Sequence, residues 1–433
     1  MSYQIILKLL YNCLKSCNKV LFGMYIPNKS ITEKLFPTNY KLIDGTDEIF
    51  ELNFALWEYE NLAKQDLIRR SAYFKSVEGI PTIHYQTCNL QNLEEIHQNS
   101  SLRTRAFFLN GKYSTGYATH SLFPYRGKFH PQMIRGLLNI IGLRPGNVVL
   151  DPMSGSATLS VEANLLGIDS IAVDISPFCC LMGRVKTFAL NLDWKKLDKI
   201  IKEQDKIFEK LNKQRVPEYF IKNGEDKNRP YYEVALLAYL DSMGFARRST
   251  KPLSSLFPIV LKRYFETINN FQDAKEKLGL RLGKSKLIEG SALELPLESN
   301  SVDGVITSPP YSFAIDYVNN DRPQLEYLGY EPTKLKENMI GLNGRDISEK
   351  LELYFKMLDK VFNELARVTK KGTKTIFVIG TNDIQTKGIR LETKIKKLAE
   401  GQQFKFLWEI LKPIRGLQNT MKEEYVLIFE NVK

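Results

Sequence analysis

Residues 305 to 313 read VITSPPYSF, an apolar run that ends in Ser308, Pro309, Pro310 and Tyr311. Proline fixes φ near −65°, has no N–H to donate, and pushes the residue before it away from the helical region. The corner is therefore extended and rigid. No helix can absorb the Pro309 carbonyl, so that oxygen and Ser308 Oγ stay available as hydrogen-bond acceptors. Tyr311 adds a ring on which a flat ligand can stack. A Pro-Pro turn at a strand end is also an ordinary structural device, so the quartet needs company before it implies chemistry.

That company lies 150 residues upstream, in LDPMSGSATL at 150 to 159. Gly155 lets a ligand approach the backbone closely, and Ser154 and Ser156 are small enough not to block it. The loop amides and the helix start behind them carry partial positive charge. Asp151 at the strand end is suited to a ligand's ammonium. Asp174, 23 residues later, stands where an acid grips ribose hydroxyls in nucleoside-binding α/β folds. The loop has no Gly-Lys-Ser/Thr, which excludes a nucleotide-triphosphate P-loop. Ala157 interrupts the GxGxxG of dinucleotide enzymes.

The elements that must hold these residues follow from periodicity. HPQMIRGLLNIIGL (130 to 143) has helical spacing and stops at RPG. NVVLD (147 to 151) and SIAVDIS (170 to 176) are strands, and ATLSVEANLLG (157 to 167) is the helix between them. This βαβ unit predicts a parallel sheet. Strands return at 286 to 290, 302 to 307, 373 to 380, 405 to 411 and 424 to 430, with a helix at 354 to 369. No full helix fits between the last two strands, which should pair antiparallel. Ahead of all this, 48 to 70 and 90 to 98 have helical character in a region without a strong motif.

With loop, second-strand acid and quartet in this order, the chain resembles S-adenosylmethionine-dependent amino-methyltransferases. LDPMSGSATLSVEANLLGIDSIAVDISP is similar to that family's cofactor loop, helix and acidic second strand. FPYRGKFHPQMIR (123 to 135) resembles its segment closing over the methionine end of the cofactor. IEGSALELPLESNSVDGVITSPPY resembles its third strand, linker and catalytic tetrapeptide. The likeness covers 120 to 190 and 286 to 433. It implies a Rossmann-like α/β fold with a seven-stranded, mostly parallel sheet and an antiparallel last strand. Ala157 departs from the usual third glycine. Ser291 stands where many members carry an acid for the adenine amino group.

The resemblance implies S-adenosylmethionine held by Asp151, Pro152, Met153, Ser154, Gly155, Ser156, Asp174, Ile175 and Phe129. It implies Ser308, Pro309, Pro310 and Tyr311 as the catalytic set, acting on an exocyclic base amine. Such an amine's lone pair is delocalised into the ring, and acceptors on its N–H protons localise the pair toward the sulfonium methyl. In a duplex the base must first be flipped out. A leading serine is most like the cytosine-N4 DNA enzymes. Adenine N6 in DNA and guanine N2 in tRNA are the alternatives, and a non-catalytic nucleic-acid-binding protein is a third. Asp316, Tyr317 and Arg322 follow the quartet closely enough to line its pocket or meet phosphate.

Composition fits a nucleic-acid partner. The 433 residues hold 61 Lys and Arg against 49 Asp and Glu, a net charge of +12. Residues 195 to 286 alone carry 21 basic against 12 acidic residues. There, Arg247, Arg248 and Lys251 beside Ser249 and Thr250 are the candidate phosphate contacts, whereas 195 to 210 reads as a solvated helix face. Five scattered cysteines and no CxxC argue against a disulfide framework or zinc site and fit a cytoplasmic protein. Lysines interrupt the apolar start, which reads as an amphipathic helix and not a signal or membrane span. The expected divisions are an accessory region at 1–115, the methyltransferase domain at 116–190 and 286–433, and a helical basic insert at 191–285. A restriction endonuclease is a conceivable partner.

Overall fold

The computed structural model describes residues 29–44, 46, 48–90, 115–125, 127–213, 229–310, 316–381, 386, 388–414 and 423–433. Tyr311, the amphipathic start and nearly all of the 90 to 98 helix lie outside them.

Three short strands come first: β1 (Tyr40–Leu42), β2 (Phe74–Val77) and β3 (Ile80–Pro81), joined in a small antiparallel sheet. The main sheet has seven: β4 (Val148–Asp151), β5 (Asp169–Asp174), β6 (Ser285–Glu289), β7 (Val302–Thr307), β8 (Thr369–Thr381), β9 (Phe404–Pro413) and β10 (Glu423–Asn431). Their spatial order is β6-β5-β4-β7-β8-β10-β9. The first five run parallel, and β10 lies antiparallel between β8 and β9. This is the seven-stranded arrangement expected from the sequence, with its antiparallel end.

Strand periodicity of two builds both sides of the sheet. Val149, Ile306, Ile376, Val378, Val426 and Ile428 form one core with Ile134 and Leu137 of helix Pro131–Ile140 and with Phe54 and Tyr73 of the N-terminal region. Their neighbours Leu150, Val305, Phe377, Ile379, Leu427 and Phe429 face Tyr354, Leu358 and Phe362 of helix Ile347–Val368. The accessory region is thus part of the sheet's cover. A buried latch fixes it: Glu58 accepts from Ala72 N at 2.9 Å and Asn139 Nδ2 at 2.8 Å, and Arg70 donates to Asn139 Oδ1 at 3.2 Å.

The basic insert folds as helices Trp194–Lys202, Gln204–Lys213, Arg229–Ala246 and Leu253–Leu278. In the first, Leu197 and Ile200 are buried while Lys195, Lys196 and Lys199 are exposed, as expected of a solvated face. The insert shares one core with Phe178 and Met182 of helix Pro177–Ala189 and with Val318 and Leu325 beyond the quartet.

Several boundaries differ from the sequence reading. The helical stretch at 48 to 70 is two helices, Ile49–Asn61 and Lys64–Arg70, because Leu62 turns extended while its N–H still caps Glu58 O. The 354 to 369 helix begins a full two turns earlier, at Ile347, where Asp346 accepts from Ser348 N and Glu349 N. The helix expected from 157 begins at Thr158, since Ala157 is left-handed (φ 56°).

A second buried network ties the segment before β4 to the helix after it. Glu162 accepts from Tyr117 Oη at 2.7 Å, His120 Nε2 at 2.8 Å and Arg135 Nε at 2.9 Å. Burial alone would raise its carboxyl, but Arg135 and His120 outweigh that and hold it at about 2. Burial also lowers His120 to about 4. Both folded values lie below ordinary ones, so both contributions are complete near neutrality. The His120 part is lost as pH falls from about 6.5 toward 4, and the Glu162 part from about 4.3 toward 2. Glu162→Ala leaves a buried guanidinium without its carboxylate and is predicted to cost roughly 3–5 kcal/mol. Urea unfolding at pH 7 reads this as a lower midpoint with unchanged slope.

Candidate active site

The parallel register puts the ends of β4 and β7 side by side, with Leu150 opposite Val305. The 151–157 loop and the 308–310 corner therefore leave the same edge of the sheet. Thr307 Oγ1 donates to Asp151 Oδ1 at 2.8 Å and joins the two exits directly. One cleft opens there. It is lined by Pro152, Met153, Ser154, Gly155, Ser156, Asp174, Ile175 and Phe129 together with Ser308, Pro309 and Pro310. Eight of the nine expected cofactor contacts and three of the four expected quartet residues are brought together. Tyr311 lies outside the described residues.

The ninth, Asp151, is only 1% exposed and sits behind the lining. Its Oδ1 is engaged by Thr307 and by Met153 N, while buried Oδ2 has no hydrogen-bond partner among the described residues. Burial pushes the carboxyl up to about 7. Its visible work is to hold β4, β7 and the loop in register. It does not line the cleft, where an ammonium was expected to meet it.

Asp174 does line the cleft. It accepts from Gly155 N at 2.7 Å and Ser176 N at 2.8 Å, so it shapes the loop as well as facing the ligand space. Burial raises it to about 6 against those two N–H groups. Gly155 is left-handed (φ 47°), and a Cβ there would meet only Tyr125 Cε1 at 3.8 Å, so the space above the loop is open. Lys186 braces the loop from below: its ammonium is buried and donates to Ser156 O at 3.3 Å.

Ala157, at the usual third-glycine position, is accommodated by a glycine elsewhere. Gly183 of the neighbouring helix faces it, and a Cβ at Gly183 would lie 3.1 Å from the Ala157 methyl. The missing side chain has been moved to the other partner of the contact.

Other residues surround the cleft that the sequence reading passed over. Tyr125 donates to Asp321 Oδ2 at 3.2 Å, and its ring stacks with Tyr317 at 6.4 Å between centroids. Asp321, Leu335, Asn338 and Met339 also line the cleft, as does Ser291. Tyr317 was among the candidates after the quartet and does line the cleft. Asp316 instead caps a short helix through Asn319 N and pairs with Lys336 Nζ at 2.8 Å. Arg322 is exposed and pairs with Glu326. Arg247, Arg248 and Lys251 are exposed at the end of helix Arg229–Ala246, away from the lining. That helix is nevertheless bound to the cleft wall, since Gln324 Nε2 donates to Leu240 O at 3.3 Å, one residue from cleft-lining Leu325.

A nucleoside cofactor fits this edge. The loop backbone is uncovered at Gly155, an acid lies at the end of β5, and two buried polar atoms, Asp151 Oδ2 and Ser154 Oγ, are left without partners among the described residues. The seven-stranded fold and the cleft at its edge are similar to those of S-adenosylmethionine-dependent methyltransferase domains. Residues 121–227 match the family model described as "RMKL-like, methyltransferase domain". Among curated proteins, the chain is 26% identical over 275 residues to the Type II methyltransferase M.BsoBI of Geobacillus stearothermophilus, covering 50% of this chain and 54% of that protein. It is 36% identical over 112 residues to the Type II methyltransferase M.MjaII of Methanocaldococcus jannaschii, covering 22% and 21%. It is 34% identical over 53 residues to a tRNA (guanine(10)-N2)-dimethyltransferase of Methanothermobacter thermautotrophicus, covering 12% and 16%. The chain thus spans about half the length of the first of these relatives and less of the others. The resemblance to amino-methyltransferases read from the sequence is borne out at the level of the domain.

Gly155→Val introduces a branched side chain at positive φ and into the open space above the loop. It is predicted to weaken S-adenosylmethionine binding by at least about tenfold, roughly 1.4 kcal/mol, in isothermal titration.

Proposed function

We propose that this protein transfers a methyl group from S-adenosylmethionine to an exocyclic base amine of DNA, N4 of cytosine. The observation that carries the reading is the common cleft of Ser308, Pro309 and Pro310 with the Gly155 loop. When bound, S-adenosylmethionine supplies an electrophilic methyl on a positively charged sulfur. Ser308 Oγ and the Pro309 carbonyl accept the two amine N–H groups and turn the nitrogen lone pair out of the base plane. Rigid prolines hold both acceptors before the base arrives, which is electrostatic preorganisation. Holding amine and methyl in one cleft adds the proximity contribution. Tyr311 stacks on the flipped base, and the exposed Arg247, Arg248 and Lys251 contact phosphates.

Serine at the head of the quartet and the Type II methyltransferase relatives support DNA. The likeness to a tRNA guanine-N2 enzyme supports a second reading, an RNA base amine. Cys179 and Cys180 are buried and form no disulfide among the described residues, which accords with a reducing cytoplasm, and the Type II relatives accord with a restriction endonuclease partner.

The test is incubation of DNA and of bulk tRNA with methyl-labelled cofactor, digestion to nucleosides, and mass spectrometry. N4-methylcytosine from DNA is the predicted product, and label confined to tRNA would overturn the choice of substrate. Ser308→Ala should lower single-turnover transfer by about 10²–10³, the usual scale for removing one preorganised group, with cofactor affinity unchanged.

A further inference from the structure

Serine can polarise an amine but cannot keep its proton, because a protonated hydroxyl is far too acidic to persist in water. Methyl transfer to an amine releases one proton per turnover, so the cleft needs a base that the quartet does not supply. Among the described residues, two carboxylates line it. Asp174 has each oxygen committed to a backbone N–H of the cofactor loop and its flank. Asp321 is different. It is 9% exposed, its Oδ2 accepts from Tyr125, and its Oδ1 takes no hydrogen bond among the described residues. Tyr125 in turn lies 3.8 Å from the Cβ position of Gly155, so the Asp321–Tyr125 pair spans from the cofactor loop to the wall beyond the quartet. Lys128, which also lines the cleft, donates to His120 O and is a cation over most of the neutral range.

We propose that Asp321 is the proton acceptor of the methyl-transfer step. This rests on the amine-methylation reading above. The amine lone pair forms the new N–C bond and the C–S bond breaks with its electron pair on sulfur. The displaced N–H proton passes to the Asp321 carboxylate and afterwards to water. Tyr125 is the positioning residue, holding Oδ2 while Oδ1 takes no hydrogen bond among the described residues. Burial raises Asp321 to about 7, and Tyr125 opposes that rise. Asp174 is the nearby acid that adds to it, and Tyr317 and Cys179 are the other titratable groups about the pair. The active form is the carboxylate, so activity falls as pH drops below its value. The sulfonium's positive charge favours the carboxylate, which places the midpoint of the loaded enzyme at or below about 7.

The experiment compares wild type, Asp321→Asn and Tyr125→Phe by single-turnover transfer across pH 5 to 9, cofactor titration, and infrared difference spectra of cofactor-free protein. Asp321→Asn is isosteric and should bind the cofactor as wild type does, while transfer falls by at least about 10²-fold and loses its acidic inflection. Tyr125→Phe should move that inflection to higher pH. The carboxylic-acid band missing from Asp321→Asn should titrate near 7 in wild type. Equal rates in wild type and Asp321→Asn, or a rate that falls with rising pH, would overturn the inference alone. A wild type that methylates neither DNA nor RNA overturns the amine-methylation reading and this inference with it.

Discussion

The parallel pairing of β4 with β7 is the constraint on which the site depends. It brings together two loops whose residues are more than 150 positions apart, and the Thr307–Asp151 hydrogen bond at 2.8 Å locks their exits within a buried environment. A one-residue slip would turn Val305 and Ile306 to the wrong faces of the sheet. Both faces are packed, with separate cores for even and odd positions along β8 and β10, so such a slip is strongly resisted. The energy that fixes the cleft therefore comes mainly from apolar burial on the sheet, at a distance from the polar groups that use it.

Around that fixed edge, the remaining elements act as walls. The accessory region covers the sheet face through the Glu58–Asn139–Arg70 latch. The Glu162 network holds the segment that carries Tyr125, Lys128 and Phe129 over the cofactor loop. The basic insert packs on the short helices that follow the quartet, so the exposed Arg247–Lys251 cluster is carried on a scaffold rigidly connected to the cleft wall. The exposed basic cluster and the cleft wall thus share one hydrophobic core.

Much of this was legible in the sequence because the signals are local. Strand periodicity, the Gly155 turn, the acid at the end of β5 and the Pro-Pro corner each lie within a few residues. The seven-stranded sheet and the gathering of eight cofactor candidates with Ser308, Pro309 and Pro310 follow from them. What was not legible is long-range. The structural role of Asp151 was hidden, since only the β4–β7 pairing reveals Thr307 as a partner of its Oδ1. Asp321 and Tyr125 are separated by 196 positions and have no spacing that marks them as a pair. Ala157 looked like a defect until Gly183 was seen to face it.

The proposed transfer requires one cleft to present the Ser308 corner to a base amine beside the bound cofactor. A crystal structure with a cofactor analogue and a DNA duplex carrying the target site tests it most directly. A flipped base is expected, with its exocyclic nitrogen hydrogen-bonded to Ser308 Oγ and about 3–3.5 Å from the position of the transferring methyl. Cofactor bound away from Gly155, or a base whose amine faces away from Ser308, would contradict it.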